Sequence, residues 1–107
     1  MRRAAVREAV SARRYRTRVT RTEWIAALQA EGWFVTEWSD DPNTRYAAHA
    51  HRATEVRVVL EGSMTIVIDG TSHEVRAGER FDVAPDVQHE ATVGPHGVTY
   101  LAGAMPT

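Results

Sequence analysis

"HAHRATE", residues 49–55, places two histidines one residue apart and a glutamate four residues after the second. The chain holds only five histidines in 107 residues, so their grouping asks for an explanation. Side chains alternate between the faces of an extended strand, so His49 and His51 share a face with Arg45 and Ala47. Two same-face histidines suit a wetted strand, and they equally suit the start of a metal site. Glu55 adds weight to the metal reading. It opens the next apolar run, and a hairpin-like return brings its carboxylate back toward the imidazoles. A fourth ligand then has to come from a later strand. "GERFDVAPDVQH", residues 78–89, offers His89 close after a glycine and a proline.

Around this stretch the chain reads as short strands. "WFVTEW" precedes the turn "SDDPNT". "RYAAHAH" and "EVRVVLE" are separated by a short polar link, and "SMTIVID" meets Gly70 in an Asp-Gly hairpin signal. "SHEV", "RFDVA", "HEATV" and "VTYLA" follow. Seven or eight short strands with frequent turns predict an all-β sandwich or barrel. Ahead of them, "TRTEWIAALQAEGW" (20–33) predicts one short amphipathic helix. Thr20 and Glu23 have capping-box spacing, Thr22 competes as N-cap, and Gly32 stands where a left-handed C-terminal residue is wanted.

The charge is uneven. Residues 1–21 carry eight of the 13 arginines and one glutamate, +8 − 1 = +7. Residues 22–107 carry five arginines and 13 acids, +5 − 13 = −8. We read residues 1–21 as an Arg-rich N-terminal extension, a solvated charge run, and residues 22–107 as a single domain. No apolar stretch follows the arginines, as a secretory signal or a twin-arginine export signal would require. No helix-turn-helix pattern accompanies them, so no nucleic-acid partner is expected. No apolar run approaches the roughly 20 residues of a membrane-spanning helix. Cysteine is absent, so any metal must be held by nitrogen and oxygen.

The spacing of His49, His51, Glu55 and Gly62 resembles the first motif of the cupin superfamily: His-x-His, three or four residues, Glu, six residues, Gly. That motif has a glycine six residues before its first histidine, where this chain has Asn43. In the second motif Gly78 and His89 are in register. Ala84 takes the proline place with Pro85 beside it, Asp86 takes the glycine place, and Val93 replaces the final asparagine. The resemblance spans residues 33–102. It implies a small double-stranded β-helix, or jelly roll, with a short N-terminal helix. It further implies that His49, His51, Glu55 and His89 converge on one divalent transition metal. Three imidazoles and a carboxylate suit Fe, Mn, Ni, Cu, Co or Zn. Four protein ligands on a six-coordinate metal leave two positions open, as catalysis requires.

The expected function is a mononuclear metal-dependent enzyme acting on a small polar or anionic substrate, of the dioxygenase, isomerase, lyase or decarboxylase class. A non-catalytic metal- or small-molecule-binding module is the alternative, since this fold hosts both. If Glu55 points into the barrel, strand periodicity points Arg57 and Val59 inward as well, with Val56, Val58 and Leu60 on the other side. Arg57 is then paired with an acid such as Asp82, or carried to the barrel mouth by its long stem, or a substrate-binding fork for a carboxylate or phosphate. His73 is expected to face solvent and His96 to sit in a tight turn. A cytoplasmic homodimer is expected, since small members of the superfamily commonly pair through their sheets.

Overall fold

The computed structural model describes residues 19–105. The expected extension 1–21 therefore lies largely outside the described residues. Its last residues belong to the fold: Thr20 caps helix α1 (Arg21–Ala30) and Val19 packs against the apolar cluster beneath that helix. Thr20 is the N-cap that forms. Its hydroxyl accepts from the Glu23 N–H at 3.1 Å, and the Glu23 carboxylate accepts from the Thr20 N–H at 3.0 Å. The helix ends at Gly32, whose φ is +96°. There the Trp33 N–H donates to Leu28 O and the Gly32 N–H to Gln29 O, so carbonyls of the last turn find partners.

Six strands follow: β1 (Phe34–Asp40), β2 (Arg45–His49), β3 (Glu55–Ile68), β4 (Thr71–Arg76), β5 (Arg80–Val83) and β6 (His89–Ala104). All pairings are antiparallel. Seven or eight strands were expected, and the difference has a simple origin. "EVRVVLE" and "SMTIVID" are one strand of 14 residues, and "HEATV" and "VTYLA" are one of 16. The punctuation between them is a bulge rather than a break. Gly62 pairs with Val98 and Met64 with Val93, so Ser63 faces four unpaired residues, 94–97. His96 sits in that bulge and is exposed, where a tight turn was expected.

The bulges divide β3 and β6 into halves that serve two layers. The first half of β3 pairs with β5 and with the end of β6, and β1 lies beyond β6. The second half of β3 pairs with β4 and with the start of β6, and β2 lies beyond β6. Val59, Phe81, Val83 and Val98 of one layer share a core with Met64, Ile66, Ile68, Val75 and Val93 of the other, so the layers pack face to face. Helix α1 covers the outer side of the first layer. Trp24, Leu28 and Trp33 pack there on Val56, Val58 and Leu101, with Leu60 against them. The predicted alternation along β3 holds, with Val59 inside and Val56, Val58 and Leu60 outside. The result is a small all-β jelly roll carrying one short helix.

Four backbone positions keep left-handed geometry where the two sequence motifs call for glycine. Gly62 and Gly78 have φ of +75° and +86°, and Asn43 and Asp86 reach +65° and +62°. Asparagine and aspartate are among the side chains that best tolerate this region, so the two replacements preserve the turns.

Candidate metal centre

His49 ends β2, His51 lies two residues further in the connection to β3, and His89 opens β6. In the ladder His49 stands directly opposite His89. The loop carrying His51 is tied to the second motif by a hydrogen bond from the Asp86 N–H to His51 O, 2.7 Å. The turn at Asp86 thus sets the height of His51 beside His89. The three rings gather with centroids 4.4, 4.8 and 5.6 Å apart. Each offers a ligand nitrogen, and these atoms all lie within 4.8 Å of one another.

Two of the imidazoles are oriented from behind. His49 Nδ1 lies 2.6 Å from Ala47 O and His89 Nδ1 lies 2.9 Å from Val87 O. A carbonyl can only accept, so Nδ1 carries a proton in both rings, and in the neutral tautomer this leaves the lone pair on Nε2. Donation from the distal ring nitrogen to a carbonyl is the usual support of a metal-bound histidine. His89 is buried, and burial holds its pKa below the ordinary imidazole value, with His49 and His51 pressing the same way against the pull of the Val87 carbonyl. It is therefore held in the neutral form a metal needs. The donor set fits a divalent transition metal of the kind expected.

Glu55, the fourth expected ligand, comes to the edge of this triad. Its Oε1 is 3.4 Å from His51 Nε2 and 3.1 Å from Arg57 Nη2. Arg57 also donates from Nη1 to Val56 O at 3.1 Å. The acid proposed from sequence as the partner of Arg57, Asp82, is instead taken by Arg80. Arg57 points into the same cavity as the histidines, with its guanidinium carbon 6.0 Å from the centre of the Tyr100 ring. The cavity holds about 250 Å³. Met64, Ile66, Phe81 and Val83 give it an apolar lining, and the histidines, Arg57, Tyr46 and Tyr100 supply the polar groups. A few convergent polar groups over apolar walls is the usual make-up of a small-molecule site.

Tyr46 and Tyr100 are the polar cavity residues that the sequence did not reveal. Strict alternation along β2 groups Arg45 and Ala47 with His49, yet Tyr46 lines the cavity. The register shifts between Tyr46 and His49, so a bulge changes which face the later residues take. Tyr100 stands opposite the inward Val59, a pairing between distant strands that the sequence does not show. The Tyr46 hydroxyl donates to Asp40 Oδ2 at 2.8 Å. That bond, helped by burial, pushes its phenol well above the ordinary value. Burial, followed by the Asp40 charge, pushes Tyr100 up as well. Both phenols are thus protonated hydrogen-bond donors at neutral pH.

His73 departs from expectation. It pairs with the inward Ile66 and alternates with the inward Val75, so it faces the interior, and its buried Nε2 has no hydrogen-bond partner. It belongs to neither the triad nor the cavity lining.

A family model described as a cupin domain matches residues 36–96. A curated relative, dimethylsulfoniopropionate lyase DddW of Ruegeria pomeroyi, is 33% identical over 90 residues, 84% of this chain and 57% of the relative. The chain thus spans little more than half that relative's length. Among solved structures, an RmlC-like cupin from Shewanella frigidimarina is 29% identical, with a TM-score of 0.63 over 70% of this chain and 67% of the other. The polyketide cyclase RemF from Streptomyces resistomycificus is 31% identical, with a TM-score of 0.62 over 67% of this chain and 53% of the other.

Proposed function

The chain belongs to the cupin family, and on that premise we propose that it is a mononuclear metal-dependent enzyme of the lyase class acting on a small carboxylate. One observation carries the reading: a triad of imidazoles, two with their lone pairs set by backbone carbonyls, shares a cavity with the Arg57 guanidinium. His49, His51, His89 and Glu55 are the proposed ligands of one divalent transition metal. When bound, such a metal supplies Lewis acidity to a substrate oxygen. Arg57 forks onto the carboxylate and fixes its direction. Tyr100 donates to a polar atom of the substrate; Tyr46, whose proton goes to Asp40, presents its oxygen as an acceptor; and the apolar lining of Phe81, Ile66 and Met64 excludes water from its carbon chain.

Among the classes expected from sequence, lyase is the one supported by a relative, the dimethylsulfoniopropionate lyase. That substrate joins a small carboxylate to a compact cationic group, which suits a cavity of about 250 Å³. Among the described residues no helix is long and apolar enough to cross a membrane. We place the protein in the cytoplasm as a homodimer.

The test loads the protein separately with Mn, Fe, Ni and Zn and follows dimethylsulfoniopropionate by proton NMR. The expected result is metal-dependent loss of substrate, reduced about 10- to 100-fold in kcat/KM by Arg57→Leu, the loss of one charge-assisted contact. Tight metal and carboxylate binding with no turnover on any metal would overturn the enzyme reading in favour of a binding module.

A further inference from the structure

Arg57 has one guanidinium and two claims upon it. It is the cation best placed to meet an anionic substrate, yet here it is held by Glu55. Both residues lie on the inward face of β3 two positions apart, with side chains 24% and 15% exposed. A single carboxylate oxygen, Glu55 Oε1, faces both Arg57 Nη2 at 3.1 Å and His51 Nε2 at 3.4 Å. The three histidine nitrogens already lie within 4.8 Å of one another without Glu55. Glu55 therefore stands between the guanidinium and the metal centre, and the same oxygen serves either side.

We propose that Glu55 is a handover switch: in the metal-free protein it occupies Arg57, and on metal binding it turns to the metal and frees Arg57 for the anionic substrate. This rests on the metal reading above. The driving force is electrostatic. Without metal, the Glu55–Arg57 pair is neutral and the cavity has little pull on an anion. A divalent cation competes for the carboxylate with twice the charge of the guanidinium. Once the carboxylate has moved, Arg57 is left beside a like-charged ion in a partly desolvated cavity, an arrangement an incoming anion relieves. Metal and anion binding are thus positively coupled, and by reciprocity the anion tightens metal binding by the same factor. The sequence of events is metal first and substrate second, which keeps an anion from filling the cavity before the metal arrives.

An anion that merely ligates the metal would also give coupling, so the decisive measurement is made without metal. Propionate is titrated into the full-length, EDTA-dialysed protein and followed by NMR chemical shifts, for the parent, Glu55→Ala, Glu55→Gln and Glu55→Ala/Arg57→Leu. Removing the carboxylate frees Arg57 just as the metal would. The expected result is propionate affinity about tenfold higher in metal-free Glu55→Ala than in the metal-free parent, within the usual range of coupling. Glu55→Gln should shift the same way, which covers the case where Ala does not fold. The double variant should fall back to the parent's affinity or below. A parallel Ni²⁺ titration by calorimetry separates the two readings. Absence of Ni²⁺ binding to the parent overturns the metal centre itself. Ni²⁺ binding with no gain in propionate affinity in either Glu55 variant overturns the handover alone.

Discussion

At the residue scale, His51 and His73 make a controlled comparison, since both are partly buried histidines and only one belongs to the triad. His51→Ala removes a lone pair that alanine cannot replace, and metal content measured by mass spectrometry after loading should fall several-fold. His73→Ala should leave metal content unchanged, because its nitrogen points elsewhere in the interior. Glycine positions offer a second comparison. A Cβ on Gly62 would lie 2.0 Å from Gly97 O with φ at +75°, whereas one on Gly70 would meet nothing within 4 Å at φ +74°. The two sites share the backbone penalty and differ in the clash. Gly70→Ala should cost about 1 kcal/mol, the left-handed penalty alone. Gly62→Ala should cost about 2–4 kcal/mol, because backbone has to move at the β3–β6 bulge. Urea unfolding of both variants checks the difference, and equal losses would sink the clash argument.

At the element scale, one arginine fastens helix α1 to the sheet. Arg80 on β5 donates from Nη1 and Nη2 to the two oxygens of Glu31 at the helix C-cap, each at 2.8 Å, and from Nε to Asp82 at 2.8 Å. Trp33 Nε1 donates to Glu31 as well, at 3.0 Å. The Arg80 side chain is only 17% exposed, so removing it strands the partly buried Asp82 carboxylate and leaves the more exposed Glu31 to water. Arg80→Ala should cost about 2 kcal/mol, the value of hydrogen bonds to charged groups. The same contact sets a pH dependence. The Arg80 hydrogen bond holds the Glu31 carboxyl below its ordinary value. A carboxyl whose pKa falls on folding contributes stability that is present above its unfolded pKa and lost as pH drops through the folded one. The melting temperature should therefore decline between about pH 5 and pH 3 in the parent. In Arg80→Ala the decline attributable to Glu31 should shrink to the smaller part set by the Trp33 hydrogen bond, leaving a shallower slope over that window.

At the scale of the whole molecule, metal binding and self-association should both show as stability. A metal that binds only the folded chain, present at a hundredfold excess over its Kd, adds about 2.7 kcal/mol. For a domain of this size that is a rise of roughly 10 °C or more in melting temperature, readable by calorimetry before and after chelation. For the proposed homodimer, β1 is the natural meeting place. Among the described residues it pairs on one side only, with β6, and it carries Phe34 and Trp38 at 68% and 55% exposure. An open edge bearing aromatic side chains invites a second chain. Phe34→Ser/Trp38→Ser should lower the sedimentation coefficient to that of a monomer while keeping the metal. A parent that already sediments as a monomer would overturn the dimer, and an unchanged dimeric coefficient would place its contact elsewhere.

Much of this was written in the sequence. The capping box at Thr20, the stop at Gly32, the Asp-Gly turn at 69–70 and the alternation along β3 are local signals, settled by a few neighbouring side chains, and each is found in the structure. The spacing of His49, His51, Glu55 and His89 named the residues worth examining, since a motif constrains positions along the chain. Other features depended on distant partners. Whether "EGS" breaks a strand or bends one is decided by the facing residues 94–97 of β6, which absorb the irregularity as a bulge. Tyr46 reaches the cavity because of a register shift against β6, which periodicity within β2 could not reveal. His73 turns inward because its partner Ile66 does, and Arg57 meets Glu55 rather than Asp82 because Asp82 pairs with the outward Val56 and so stands on the other face of the sheet. Local propensity and spacing are properties of a segment and can be read from it. Facing and pairing are choices among competitors, and the competitors are brought together only by the fold.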